Sequence, residues 1–410
     1  MGSLRGEIPE KALSPGFEIC FVRALAEHDL DADPLRVAER LRRELPAADA
    51  RLALLLWEGR RRARGRIPGG EGMFWTRRSL EQATHPEVAA WRAAELRRLA
   101  PGATVADLTS GAGGDSLALA AAGLRVLSAD RDPLLARCAA ANLTLAGLPA
   151  RVVVADATRP LDKAELLVLD PDRRAEGRRS MDPERWAPRA SRALELARAR
   201  AGACLKLAPA LDPGRLALPA DLPHAWRWVA RGGELAELSL WTGVLAAGVE
   251  PGVHEALAVG SGADGVARLS GRPDAVPPAE PLAADEAARA VWLFEPDPAV
   301  IRARLVDLLA QREGLAPVGP GIAYLAGAGP CTEPLLTAYR VLGSAPADPR
   351  RVRALLGEHD VGPVTVKKRG HPDPSEVLER RFRGPGGRRG LLIVARLARG
   401  HRAWLVERAC

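Results

Sequence analysis

Residues 105–115, Val-Ala-Asp-Leu-Thr-Ser-Gly-Ala-Gly-Gly-Asp, carry an apolar strand ending in Asp107 through a turn of small residues into a helix opening at Ser116. Gly111, Gly113 and Gly114 allow the backbone to pass close to a ligand at the carboxyl end of that strand. A pyrophosphate bound there wants bare amides and the positive end of a helix. Asp107 and Asp115 flank the turn and would repel it. The chemistry that suits two carboxylates is a cationic amino-acid group together with ribose hydroxyls.

Three further segments repeat the pattern. Residues 124–130 read as a strand ending in Asp130, and residues 150–154 as a strand running into Asp156. Residues 165–169 form a fourth, ending in Asp170-Pro171-Asp172-Arg173-Arg174. Four acids, Asp107, Asp130, Asp156 and Asp170, thus stand at the edge where open parallel sheets bind ligands, with Asp130 placed to accept ribose hydroxyls. S-adenosylmethionine is the ligand that matches. The bland reading of each acid is a helix N-cap. It is preferred for Asp132, which precedes Pro133, and stays open beside adenine binding for Asp156. Asp107 reads as a site residue, because glycines need no acid before them in order to turn.

These residues resemble a known family. Asp107 to Gly113 is similar to motif I of class I S-adenosylmethionine-dependent methyltransferases, D-x-G-x-G-x-G, with Thr109 at the first glycine, a departure associated with RNA-modifying branches. Asp170 to Arg174 is similar to motif IV, the D/N-P-P-aromatic box of enzymes that methylate exocyclic or ring nitrogens. Glu81 to Pro86, Lys206-Leu207-Ala208-Pro209 with Asp212, and Val366 to Gly370 narrow the resemblance to bacterial methyltransferases with a C-terminal THUMP-like domain. It spans about residues 75–410 and is most specific at the cofactor motifs. The resemblance implies a doubly wound α/β fold with a mostly parallel, seven-stranded Rossmann-like sheet. It also implies cofactor contacts from Asp107, Thr109, Gly111, Gly113, Asp115, Asp130 and Asp156, and catalysis by Asp170, Pro171 and Asp172.

Composition bounds the partners. The chain has 410 residues, 47% of them hydrophobic, which is material for two or three domains with real cores. The absence of an eighteen-residue apolar run and of a signal-peptide core predicts a soluble, cytoplasmic protein with no membrane partner. Five cysteines without a C-x-x-C pair argue against a zinc site or a disulfide framework, so no metal is expected. Cys138 and Cys204 read as small core residues. The net charge of +8 suggests a polyanionic partner. Only five of the 59 basic residues are lysine, however, the usage of a GC-rich genome, so clustering tells more than the total.

Along the chain, residues 1–79 read as a helical region, 80–271 as the methyltransferase domain, 272–287 as a Pro/Ala-rich linker, and 288–410 as a smaller α/β, THUMP-like, RNA-binding domain. The run Gly59 to Arg66 reads either as a solvated loop after a short helix or as a grip on RNA phosphate. A helix is expected over residues 298–311. Asp348-Pro349 and Asp373-Pro374 each read as a helix start, and residues 234–241 as a half-buried strand.

Methylating an amine requires holding its nitrogen in line with the donor and controlling its proton. The Asp170 carboxylate and the Pro171 carbonyl would accept N–H bonds, and Asp172 would be a second acceptor or relay. Arg173 and Arg174 would hold a phosphate or else pair with Asp172 and Glu176. Lys206 would contact substrate or pair with Asp170 or Asp212, and Lys367, Lys368 and Arg369 would contact phosphates. No aromatic follows Pro171, so a base platform must come from Arg173, Trp75, Trp91 or Trp186. Three functions fit: a methyltransferase acting on a base nitrogen of tRNA or rRNA, one acting on a small molecule or protein, and a non-catalytic RNA-binding protein.

Overall fold

The computed structural model describes residues 20, 23, 24, 26, 29–159, 164–173, 180–262 and 265–409. Arg174 and Glu176 lie outside the described residues. The chain divides into two compact units, Met1–Trp226 with Ala236–Pro251, and Arg227–Leu235 with Gly252–Cys410.

The first unit is built on β1 (Thr104–Asp107), β2 (Arg125–Asp130), β3 (Ala150–Val154), β4 (Leu166–Leu169) and β5 (Gly202–Leu207), all parallel in the order β3-β2-β1-β4-β5. Register brings the strand ends level: Asp107 stands opposite Ser128 of β2 and Val168 of β4. β4 and β5 are buried throughout, and accordingly read as continuous apolar runs. The helices Gly114–Ala121, Pro133–Leu145 and Ala190–Arg198 make the crossovers. Asp132 caps the second of these by accepting the Leu134 amide at 2.8 Å. Cys138 and Cys204 are fully buried core residues, and burial pushes the Cys138 thiol up to about 12.

β6 (His224–Arg231), β7 (Glu234–Gly243), β8 (His254–Val259) and β9 (Val266–Gly271) complete the order β3-β2-β1-β4-β5-β7-β6-β8-β9. The expected seven strands stand in the order β3-β2-β1-β4-β5-β7-β6, and two more lengthen the same sheet to nine. β7 runs antiparallel to β5 and is buried from Glu237 to Thr242, not half-buried. The β8–β9 hairpin groups with the carboxyl-terminal unit, not with the methyltransferase core. Within that unit Glu255 pairs with Arg227 and with Arg268, and the His254 ring bonds the Ala303 carbonyl at 2.8 Å.

The amino-terminal helices, Pro34–Glu44 and Ala47–Ala63, share one core with the sheet's own crossovers: Leu41, Leu56, Trp57, Phe74 and Trp75 pack with Ala112, Cys138 and Ala141. The second helix is longer than expected and absorbs most of the arginine run. Arg60 is buried, donating to the carbonyls of Glu71 (2.8 Å) and Ala24, while Arg64 pairs with Asp31. Those two side chains are structural, not a solvated tail.

In the second unit β10 (Trp292–Pro296), β11 (Ala316–Pro317), β12 (Leu325–Gly327), β13 (Leu336–Pro346), β14 (Val361–Arg369), β15 (Arg388–Arg396) and β16 (His401–Arg408) form a sheet ordered β11-β12-β10-β13-β16-β15-β14. Period-two alternation along β15 feeds two cores: Leu392 and Val394 face one, Ile393 and Ala395 the other. The segment expected to be a linker is part of this unit. The Ala279 amide bonds Asp307, the Leu282 amide bonds the Pro317 carbonyl, and Ala287 is fully buried. The helix expected over 298–311 is broken into Pro298–Arg302 and Val306–Glu313 around Arg304, whose φ is 60°. Asp348 caps its helix, but Asp373 instead pairs with Arg381, and the helix starts at Ser375.

Candidate active site

A cleft of about 560 Å³ opens at the carboxyl ends of β1, β2, β4 and β5. Its lining includes Trp75, Thr84, Thr109 to Ala112, Asp115, Asp130, Asp156, Asp170 to Arg173, and Lys206. Three of the four strand-end acids, Asp130, Asp156 and Asp170, therefore meet around one space.

The glycine turn is held from several sides. The Ser110 amide bonds the Ala129 carbonyl and the Gly113 amide the Ser110 carbonyl. Gly113, at φ 92°, begins the Gly114–Ala121 helix, and a Cβ there would stand 3.1 Å from Ala139 of the neighbouring helix. Gly113 thus permits helix packing and does not line the cleft. The side chain of Asn142, fully buried, clamps the turn to the segment before it: its amide donates to the carbonyls of Ala112 (2.9 Å) and Phe74 (3.0 Å) and accepts the Phe74 amide (2.7 Å). Nothing in its sequence neighbourhood marks Asn142, because its partners are 68 and 30 residues away.

Each acid has its own environment. Asp107 is 2% exposed, accepts from Ser116 Oγ at 2.7 Å, and lies beneath the turn rather than in the cleft. Burial first, then the nearby Asp115 carboxylate, push its carboxyl up to about 7. Asp107 and Gly113 thus sit behind the cleft wall, where they support the turn. Asp130 accepts the Gly111 amide on Oδ2 and the Asp132 amide on Oδ1, each at 2.9 Å. A carboxylate offers about four acceptor positions, so room remains for hydroxyl donors; burial raises its carboxyl above the ordinary range. Asp156 closes a turn on the Thr158 amide and hydroxyl, both 2.8 Å, and those bonds lower it. Ser110 Oγ, buried at the cleft, has no hydrogen-bond partner among the described residues.

Asp115 and Lys206 centre a charge network wider than the Lys206–Asp170 pair that the sequence suggests. Asp115 accepts from Arg92, from Thr84 Oγ1 (3.0 Å) and from Lys206 Nζ (3.0 Å). Arg92, itself buried, also pairs with Glu237 of β7. Burial opposes ionisation of Asp115, yet Arg92 and Lys206 outweigh it and hold the carboxyl well below its ordinary value. Burial likewise opposes the Lys206 charge, and Asp115 and Asp170 outweigh it, raising the ammonium well above the usual lysine range. Lys206 Nζ lies 2.7 Å from Asp170 Oδ2 and 2.6 Å from Thr84 Oγ1. It pairs with Asp170 and not with Asp212, which caps the turn Pro213–Arg215. Its ammonium is thus engaged by three oxygens of the cleft wall.

Asp170 is held twice, its amide donating to Thr109 Oγ1 at 2.7 Å and its Oδ2 facing Lys206. Oδ1 has no partner among the described residues, and the side chain is 44% exposed. Thr109, the departure from the glycine pattern, therefore fastens the first motif to the fourth. Pro171 is buried beneath the site. Asp172 has partners of its own: a backbone bridge to Ala187 (2.8 and 3.1 Å) and an ion pair with Arg78 (2.8 Å). Of the three tryptophans considered as platforms only Trp75 lines the cleft; Trp91 packs on Trp241 and Trp186 bonds the Ser180 carbonyl.

The lysine-rich run of the second unit is spent internally. Lys367 (2.5 Å) and Arg369 (3.4 Å) pair with Glu295, which also accepts from the hydroxyls of Tyr339 (3.0 Å) and Tyr324 (3.4 Å). Lys368 donates to the His371 carbonyl at 2.8 Å. Lys367 and Arg369 thus neutralise Glu295, and Lys368 ties down the loop at His371. A separate cleft of about 480 Å³ does bring cations together, with Arg388, Arg389, Arg408 and His359 around Leu342, Leu391 and Leu405.

A strand-edge cleft lined by acids on a doubly wound sheet defines a nucleoside-cofactor-binding α/β enzyme, and comparison with known proteins fixes the family. Two curated Mycobacterium tuberculosis proteins, each named an uncharacterized S-adenosylmethionine-dependent methyltransferase, are 30% identical over 360 residues, covering 86% of this chain and 94% of theirs. Residues 336–408 match the family described as THUMP domain-like. A crystal structure of a candidate methyltransferase from Porphyromonas gingivalis has the same fold, with TM-score 0.76 at 20% identity over 98% of this chain and 99% of that one. The chain belongs to the S-adenosylmethionine-dependent methyltransferases and carries a THUMP-like domain at its carboxyl end. Its cofactor is S-adenosylmethionine. The cleft fits that group: Ser110 Oγ is an orphaned polar atom in its wall, and Asp130 keeps open acceptor positions. Among the described residues no helix is long and apolar enough to cross a membrane.

Proposed function

We propose that the protein methylates a base nitrogen of tRNA or rRNA. The observation that carries this reading is the Asp170 carboxylate, fixed at its amide by Thr109 and at Oδ2 by Lys206, with Oδ1 left open at the cleft. A base amine has its lone pair delocalised into the ring. An N–H bond to Asp170 Oδ1 and another to the Pro171 carbonyl favour a pyramidal, more nucleophilic nitrogen and give its departing proton an acceptor. Asp130, Asp156 and Ser110 hold the cofactor, with Thr109 and Gly111 shaping the turn around it and Asp115 anchoring the turn's far end. The cofactor supplies the activated methyl group. Trp75 and Arg173 line the side where a base would lie, and Asp172 with Arg78 braces that wall.

RNA as the substrate is supported by the THUMP-like match and by the three arginines that converge on the apolar-floored cleft of the same unit. Arginine side chains set position on phosphates without reading sequence. The test is transfer of labelled methyl from S-adenosylmethionine to total RNA from a strain lacking the gene. Label in RNA, released by nuclease as a methylated nucleoside, is expected. Label only in protein or in small molecules would replace the RNA reading, and no cofactor binding at all would favour a non-catalytic RNA-binding role.

A further inference from the structure

Lys206 is one of only five lysines in 410 residues, and the others are Lys11, Lys163, Lys367 and Lys368. In a chain that uses arginine almost everywhere else, a lysine sits at the penultimate position of fully buried β5 with its charge at the cleft. Its side chain is 9% exposed. An ammonium is compact and has three rotatable donors, whereas a guanidinium is a planar fork. Three oxygens from three separate segments lie around Nζ: Thr84 Oγ1 at 2.6 Å, Asp170 Oδ2 at 2.7 Å and Asp115 Oδ2 at 3.0 Å. Thr84 precedes the Pro86–Leu99 helix, Asp115 lies at the end of the glycine turn, and Asp170 follows β4.

We infer that Lys206 is a positioning residue for methyl transfer. Its ammonium ties the cofactor-side Asp115 to the target-side Asp170 and turns Asp170 so that Oδ1 alone faces the incoming amine. A tripod of this kind suits a point charge and not a fork, which accounts for the residue type. Arg92 supports it from behind, since it neutralises the other Asp115 oxygen and Glu237. Lys206 neither touches the reacting atoms nor exchanges a proton; it acts through Asp170. This inference rests on Asp170 being the amine acceptor proposed above.

With so few lysines, the isotope-labelled lysine ammonium groups can be observed individually by NMR, and Lys206→Arg assigns the signal. In the wild-type protein the Lys206 ammonium protons should exchange slowly with water, and Asp170→Ala should speed the exchange and move the signal. Exchange as fast as that of an exposed lysine, or a signal indifferent to Asp170→Ala, would overturn the tripod. The second arm is a double-mutant cycle on methyl transfer to total RNA from the gene-deleted strain. Lys206→Met and Asp170→Ala should each slow transfer at least roughly tenfold, while the double variant stays within about threefold of Asp170→Ala alone. Multiplied losses would show that Lys206 acts independently of Asp170 and defeat the inference. If Lys206→Met does not fold, Lys206→Arg takes its place in the cycle, since it keeps the charge and loses the tripod. If the wild-type protein transfers no label to RNA, the RNA reading falls, and the NMR arm still decides the role of Lys206.

Discussion

Asp170 with Lys206, and Glu295 with Lys367 and Arg369, are both acid–base clusters at strand ends, and they differ in what they leave open. Around Glu295 every charge is answered: two cations and both tyrosines of the chain converge on its two oxygens. Around Asp170 one oxygen is answered and the other faces a cleft. The first arrangement fixes a fold, and the second holds a reactive acceptor at a set angle. A run of cations in sequence is thus a poor guide to a binding site, because a single half-buried acid can engage two of its members.

The largest test of that contrast is Asp170→Ala. Methyl transfer should fall about 10²–10⁴-fold, the usual contribution of a positioned proton acceptor, while cofactor affinity by calorimetry stays within roughly threefold. A parallel loss of cofactor binding would make Asp170 structural, like Glu295.

Next comes RNA affinity. Replacing Arg388, Arg389 and Arg408 together by Ala should weaken RNA binding at least roughly tenfold and make its log–log salt dependence shallower by about two. Lys367→Ala with Arg369→Ala should leave both within experimental scatter. The reverse outcome, measured by fluorescence anisotropy at several salt concentrations, would restore the lysine-rich run as the contact surface.

Third, Glu295→Gln should cost about 1–3 kcal/mol of stability at neutral pH, as Lys367, Arg369 and the tyrosines lose charged bonds. Burial alone would raise the Glu295 carboxyl, but Lys367, Tyr339 and Arg369 prevail and hold it below its ordinary 4.5. A lowered folded value means that its contribution is present above about pH 4.5 and disappears as pH falls through that lowered value. Urea titrations of both proteins should therefore converge in acid; a gap independent of pH would contradict the ion-pair account.

The smallest expected effect is that of Thr109→Val, which removes the acceptor for the Asp170 amide and should cost about 1 kcal/mol in stability. A several-fold slower transfer should accompany it. Full activity would show that the fastening of the first motif to the fourth is incidental.

Much of the cleft was legible because it is local. Each acid directly follows an apolar strand, so Asp130, Asp156 and Asp170 could be placed at one edge from spacing alone. For Asp107 strand order says which end it occupies, but only packing shows that Ser116 holds it beneath the turn. Arg92 and Glu237 went unseen because they pair across 145 residues. β6 was missed, since it carries Arg227 in mid-strand and only Glu255 on β8 explains that burial. β13 was missed because a register shift between Val341 and Gly343 interrupts its alternation. The arginine run after Trp57 looked solvated until Arg60 found backbone carbonyls inside the fold.

Nucleoside mass spectrometry of total RNA from a gene-deletion strain against its parent tests the central claim most directly. The account predicts one base-methylated nucleoside missing from the deletion strain, restored by the wild-type gene and not by the Asp170→Ala gene. Identical nucleoside profiles in the two strains would contradict it.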